Sequence, residues 1–142
     1  MNDRQKPSPE GYAPHHRRSP LTDPWEPLYS RNTGKAIYIG LWLDECHMNS
    51  RGLAHGGLIS ALADNAMGLS CGLHVENAAG LVTVSLAVDF LSSATAGQWL
   101  EVAPEVVKTG GTLAFARSLV TADGKACARA NATFSILKAR AA

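Results

Sequence analysis

From Lys125 to Leu137 the chain alternates almost without exception. Ala126, Ala128, Ala130, Ala132, Phe134 and Ile136 take one parity; Cys127, Arg129, Asn131, Thr133 and Ser135 take the other. A period of two places one set on a buried face and the other on a solvated face, so the segment reads as a strand. Its buried side is mostly alanine, which lets a packing partner come close. Three similar runs precede it. Leu81–Leu91 sets Val82, Val84, Leu86, Val88 and Phe90 on one face. Gln98–Lys108 follows, and Pro104 inside it predicts a sheet edge or a bulge. Thr112–Thr121 comes after Gly110-Gly111 and is tied to the last strand by Asp123-Gly124, a two-residue hairpin signal. A fifth alternation spans Lys35–Leu43, with Ile37, Ile39, Leu41 and Leu43 opposed to Ala36, Tyr38, Gly40 and Trp42.

One segment breaks this pattern. Across residues 55–74, Leu58, Leu62, Ala66, Leu69 and Leu73 recur at helical spacing, and alanine is frequent. One strand, one long helix and four strands in meander order make an α+β layout, in which an apolar helix stripe covers one face of an antiparallel sheet. A chain of 142 residues suits one domain. We assign 21–142 to it. Residues 1–20 are polar, carry Pro7, Pro9, Pro14 and Pro20, and include His15-His-Arg-Arg18. They read as a mobile arm with too little apolar surface to offset ordering entropy. Residues 21–30, with Trp25 and Tyr29, read as an irregular or short helical lead-in.

Composition excludes several classes. The net charge of +1 lacks the basic footprint of a nucleic-acid binder. Cys46, Cys71 and Cys127 have no paired spacing and read as reduced thiols. No signal-like apolar N-terminus or membrane-length run is visible, so a cytoplasmic protein without a membrane partner is expected. Cys46-His47 beside Asp44 and Glu45 has donor atoms but no spaced ligand pairs, and no metal is expected. Neither a Gly-x-Ser-x-Gly elbow nor a phosphate loop occurs.

The chemistry concentrates at Asn49-Ser-Arg-Gly52-Leu-Ala-His55-Gly56-Gly57 and in the helix behind it. A helix N-terminus offers unpaired N–H groups and a positive dipole end, which suits an oxygen gaining negative charge. Asp64 is the only formally charged side chain between Ser60 and Cys71. At about 100° per residue, Gly57, Asp64, Gly68 and Cys71 cluster on a face away from the Leu58 stripe. A lone carboxylate there is a candidate base or nucleophile, against the plainer reading of a solvated acid. Gly56 and Gly57 fit close backbone approach to a ligand, or a plain tight turn. His55 fits a base or a turn-orienting group. Asn49 is a common turn residue, and Thr83 and Ser85 are common outward strand hydroxyls.

These motifs resemble the hotdog-fold acyl-CoA thioesterases of the phenylacetate-pathway type, over about residues 30 to 138. The resemblance implies an antiparallel sheet of five or six strands wrapped around one long central helix. It implies hydrolysis of acyl- or aryl-CoA thioesters by a homo-oligomer, a dimer or dimer of dimers, with coenzyme A as part of the substrate and no separate cofactor. It gives the Gly56 N–H the role of polarising the thioester carbonyl. Asp64 becomes base or nucleophile, contributed by the neighbouring subunit. Asn49 and Thr83 hold carbonyl or water, and His55 and Gly57 support the turn. Phe90 is a candidate pocket residue. Lys108-Thr109-Gly110-Gly111-Thr112 resembles the hairpin along the coenzyme A pantetheine and nucleotide. A Lys beside glycines meets phosphate with side chain and backbone together, and a plain hairpin is the competing reading. Arg117 and Arg129 are either phosphate partners or ordinary solvated charges. Two rival functions are an enoyl-thioester hydratase or dehydratase using His55, and a non-catalytic acyl-CoA-binding hotdog protein.

Overall fold

The computed structural model describes residues 6–139. Its strands are β1 (Ala13–Pro14), β2 (Tyr29–Asn32), β3 (Ile37–Trp42), β4 (Ala78–Phe90), β5 (Trp99–Thr109), β6 (Leu113–Ala122) and β7 (Lys125–Lys138). One long helix, α1, spans Gly56–Gly72. All strand pairs are antiparallel, in the order β1-β2-β3-β5-β6-β7-β4. The α+β layout is as the sequence predicts, but the sheet has seven strands among the described residues, not five or six. The additional two, β1 and β2, come from segments that read as a polar arm and an irregular lead-in.

The reason lies in side chains from elsewhere. On the outer face, Trp99 of β5 lies against Gly40 of β3, where even a Cβ would collide with the ring. Tyr12 and Trp42 meet Trp99 edge-on, each with ring centroids 5.1 Å apart. The Tyr12 hydroxyl donates to Glu101 Oε2 at 2.7 Å, and Trp42 Nε1 donates to Pro7 O at 3.0 Å. These contacts lay residues 6–14 along the sheet, where composition alone predicts a mobile arm. The lead-in contains a short 3-10 turn, Asp23–Trp25.

The helix expected over 55–74 is present, yet its buried arc differs from the expected stripe. Leu58, Ile59, Leu62, Ala63, Ala66, Met67, Ser70 and Cys71 are buried, whereas Leu73 is exposed. The curved sheet covers more than half of the helix circumference, so apolarity spreads around it instead of forming one narrow stripe. Cys71 therefore belongs to the core, and burial pushes its thiol up to about 11. Ser70 inside this arc donates to Ala66 O at 2.7 Å and accepts from Ile37 N at 2.9 Å, which ties α1 to β3.

Two strand irregularities matter. Pairing of β3 with β5 ends at Val102, so Pro104 sits where β5 has a neighbour on one side only. In β4, Thr83 pairs with Phe134 but Ser85 pairs with Thr133, leaving Val84 as an extra residue. The uniform face expected for Val82, Val84, Leu86, Val88 and Phe90 is thereby broken. Leu81 and Thr83 lie opposite buried Ile136 and Phe134, and Leu86, Val88 and Phe90 lie opposite buried alanines of β7. Directly opposed residues share a face, so both sets point toward α1, while Val82 lies outside.

Candidate active site

Asp64 sits on the part of α1 that the sheet leaves open. Because the bulge turns Thr83 inward, its hydroxyl donates to Asp64 Oδ1 at 2.6 Å. Short bonds to a carboxylate are charge-assisted and fix its rotamer. The pair opens onto a cleft of about 480 Å³. Gly68, Gly72 and Gly80 leave this cleft open by lacking side chains, and Leu81 and Phe134 give it apolar walls. Asn65 and Ile37 line it too, together with residues 15 and 17–19.

The start of α1 is built around its glycines. His55 is the N-cap, and its Nδ1 accepts from Gly57 N at 2.8 Å. That contact uses the Gly57 N–H and assigns the His55 ring to the turn. The Gly56 N–H, at the first helical position, has no acceptor within the helix. Phe90 caps this position: a Cβ on Gly56 would come 3.0 Å from the ring. The structure thus brings Gly56 and Phe90 together, and Asp64 and Thr83 together. A second cleft of about 340 Å³ flanks the helix start, with Leu21, Trp25, Met48, His55, Gly57 and Ala61 among its walls.

Asn49 is committed to its own loop. Its Oδ1 accepts from Arg51 N at 2.9 Å and Leu53 N at 3.1 Å, and Gly52, at φ +78°, completes the turn. This is an Asx-type turn. His47 supports the loop from below: it is buried, accepts from Asp44 N through Nδ1, and its carbonyl accepts from His55 N. The bridge Met48–Ala54 closes the loop next to the helix start.

Lys108, Thr109, Gly110, Gly111 and Thr112 form the β5–β6 hairpin, closed by Gly110 N donating to Leu113 O at 2.8 Å. Ile136 N donates to Thr112 O, which places this hairpin beside the end of β7 and the beginning of β4, away from Phe90. Arg117 pairs with Glu105 at 3.1 Å and Arg129 with Asp89 at 2.9 Å, all four largely exposed. Both arginines therefore have carboxylate partners across neighbouring strands.

Sequence reasoning passes over His15, Arg17, Arg18 and Ser19 as site residues, yet they line the Asp64 cleft. The visible signal is the run of basic residues between prolines. The contact itself is not visible in the sequence, because it depends on how the arm crosses the open side of α1.

Spacing along α1 constrains what one chain achieves alone. Eight residues separate Gly56 from Asp64, about 12 Å of helix rise. A reacting carbonyl needs its oxygen within about 3 Å of the donor, and a base must lie within hydrogen-bond reach of the attacking water. The two groups of one chain thus lie about two helical turns apart.

Comparison with known proteins identifies the class. Residues 51–128 match the family described as Thioesterase superfamily, more than half of the chain. An inferred esterase of Pseudomonas aeruginosa, PA0474, is 38% identical over 129 residues, 90% of this chain and 96% of its own. Human acyl-coenzyme A thioesterase 13 is 37% identical over 90 residues, 62% of this chain and 61% of its own. A point mutant of the phenylacetic acid degradation protein PaaI from Thermus thermophilus superposes with a TM-score of 0.74 at 24% identity, covering 84% of this chain and 100% of that one. The fold is the hotdog fold, and the protein is a thioester hydrolase. The chain belongs to the thioesterase superfamily.

Proposed function

We propose that the protein hydrolyses acyl- or aryl-CoA thioesters at sites shared between two copies of the chain. The observation that carries this reading is the position of the Asp64–Thr83 pair, on the open face of α1 next to the unpaired edge of β4, about 12 Å along the helix from its own Gly56. Antiparallel pairing of β4 with β4 of a second copy continues the sheet and brings each Asp64 toward the other copy's Gly56. The named relative that acts on acyl-coenzyme A supports coenzyme A as the thiol part of the substrate.

In this arrangement the thioester oxygen accepts from the Gly56 N–H at the positive end of α1. Asp64 of the second copy either takes a proton from water, whose oxygen then attacks the carbonyl carbon, or attacks that carbon directly. Thr83 holds Asp64 in place. Negative charge moves to the carbonyl oxygen, the C–S bond breaks, and coenzyme A leaves as thiolate with little need of acid help. With water as the attacking group, free acid and coenzyme A result; with Asp64 attacking directly, an acyl-aspartyl anhydride forms, and a water then cleaves it to free acid and restores the carboxylate. The part of Asn49 is to shape the loop before the helix, its amide nitrogen being the remaining group for carbonyl or water. Leu113, Phe115 and Leu137 are exposed and take the face of the sheet opposite to α1. This favours a second dimer packed back to back, giving a tetramer.

Asp64→Asn tests the reading. Turnover on a panel of CoA thioesters, followed by thiol release, should fall by on the order of 10²-fold or more with the fold intact. Activity within a few-fold of wild type would remove Asp64 from the mechanism. Mixing Asp64→Asn subunits with Asn49→Ala subunits should restore part of the activity, because some mixed dimers hold one intact site. No recovery after verified exchange of subunits argues for sites built within one chain.

A further inference from the structure

Residues 15–19 cross the open side of α1 and supply one wall of the cleft that holds Asp64. The chemistry of this wall is distinct. Arg17 and Arg18 both line it, and Asp64 is the only acid among the lining residues. Arg17 has no ion-pair partner among the described residues. Arg18 reaches Asp23 at 3.5 Å with both side chains about half or more exposed, a pairing weak enough to exchange for a better acceptor. His15 lines the same cleft, is 8% exposed, and its Nδ1 is buried without a hydrogen-bond partner. Two guanidinium groups on a cleft of about 480 Å³ suit an anionic oxygen group, which guanidinium binds through paired N–H donors.

We propose that the His15–Ser19 wall binds an anionic oxygen group carried by the thioester substrate, making Arg17 and Arg18 specificity residues of this site. This rests on the thioesterase reading above. Two parts of such a substrate carry that chemistry: a carboxylate at the far end of the acyl group, or the phosphates of coenzyme A. Apart from Asp64 and the His15–Ser19 wall the lining carries no charged side chain, so an acyl group ending in carboxylate would be held at both ends, by the reacting centre and by this wall.

The test uses unreactive thioether analogues, so that binding is read apart from hydrolysis. Three probes are compared by calorimetry: S-hexyl-CoA, the same compound ending in carboxylate, and S-hexyl-pantetheine, which has no phosphate. Each is titrated into wild type, Arg17→Ala/Arg18→Ala and the charge-keeping Arg17→Lys/Arg18→Lys. If the wall holds an acyl carboxylate, the wild-type preference for the carboxylated over the methyl-ended CoA shrinks by about tenfold in the alanine variant. If it holds phosphate, the preference for S-hexyl-CoA over S-hexyl-pantetheine shrinks by a similar factor. In either case the lysine variant retains part of the preference, and the effect weakens as salt rises. Both preferences unchanged in the alanine variant, with circular dichroism matching wild type, overturn the proposal. Hydrolysis of the parent thioesters by wild type is scored separately. Its absence would sink the thioesterase reading while the binding result still decides the role of the wall.

Discussion

At one edge of the sheet, β1 is 2 residues long and contains a proline; at the other, β4 runs for 13 residues with no neighbour on its outer side among the described residues. The β1 edge is closed in three ways. Pro14 offers no N–H, the strand is too short to template another, and the Tyr12–Trp99–Trp42 cluster lies beside it. The β4 edge has none of these. Val82 is 50% exposed and Val84 62% exposed there, and Leu86 and Phe90 are exposed as well. A long, apolar, unprotected edge in a functional protein signals a strand waiting for a partner. The N-terminal segment finishes one side of the molecule, and the proposed assembly uses the other.

Charging the open edge is the harshest test of this asymmetry. Val82→Lys/Val84→Lys should leave a folded monomer, because both side chains are exposed, while turnover drops on the order of 10²-fold or more as shared sites are lost. Sedimentation together with thiol release measures both. The matched change at the closed edge, Ala13→Lys, should alter neither. If the lysine pair stays oligomeric and active, β4 is not the pairing edge.

A smaller effect is expected from Tyr12→Phe. It removes the 2.7 Å bond to Glu101 while keeping the ring against Trp99, and should cost about 1–2 kcal/mol in denaturant unfolding with the oligomer unchanged. A loss of dimer instead would show that the two edges are coupled.

The smallest concerns pH. Burial, and next the neighbouring His16, hold His15 below the usual histidine range; Arg17 adds to this and Glu26 opposes it. The unfolded chain therefore binds the proton at higher pH than the folded one. Stability tied to His15 is complete above the unfolded value near 6.5 and is lost as pH falls through the folded value. The midpoint of chemical denaturation should drop between pH 7.5 and 5.5, and His15→Gln should flatten that slope. An unchanged slope would mean that His15 is not a source of it.

Much of this is legible from the chain alone, for physical reasons. The strands β3 to β7 and α1 are readable because each repeats its pattern over many residues. Asp123-Gly124 is readable because both positions need positive φ, which they have at 49° and 82°. Asp64 is readable as a lone acid among small residues. What escapes depends on distant contacts. The arm is held by Trp99, Trp42 and Glu101, none of which leaves a trace in residues 6–14. The buried arc of α1 is misplaced by periodicity because a sheet that surrounds a helix dilutes its amphipathic signal. The family pattern has Asn49 facing substrate, whereas its carbonyl oxygen closes the loop, and spacing alone cannot distinguish the two. The inward turn of Thr83 is hidden because a bulge has no fixed residue signature.

That bulge has an arithmetic consequence. Thr83 and Phe90 are seven positions apart, an odd number, and on a regular strand they would point in opposite directions. The extra residue at Val84 changes the count, so the hydroxyl that holds Asp64 and the ring that covers Gly56 both face the helix. One strand therefore presents one side chain at Asp64 and another at Gly56. Deleting Val84 alone would leave composition and hydropathy nearly untouched. Yet it would force the strand to choose which of the two to keep.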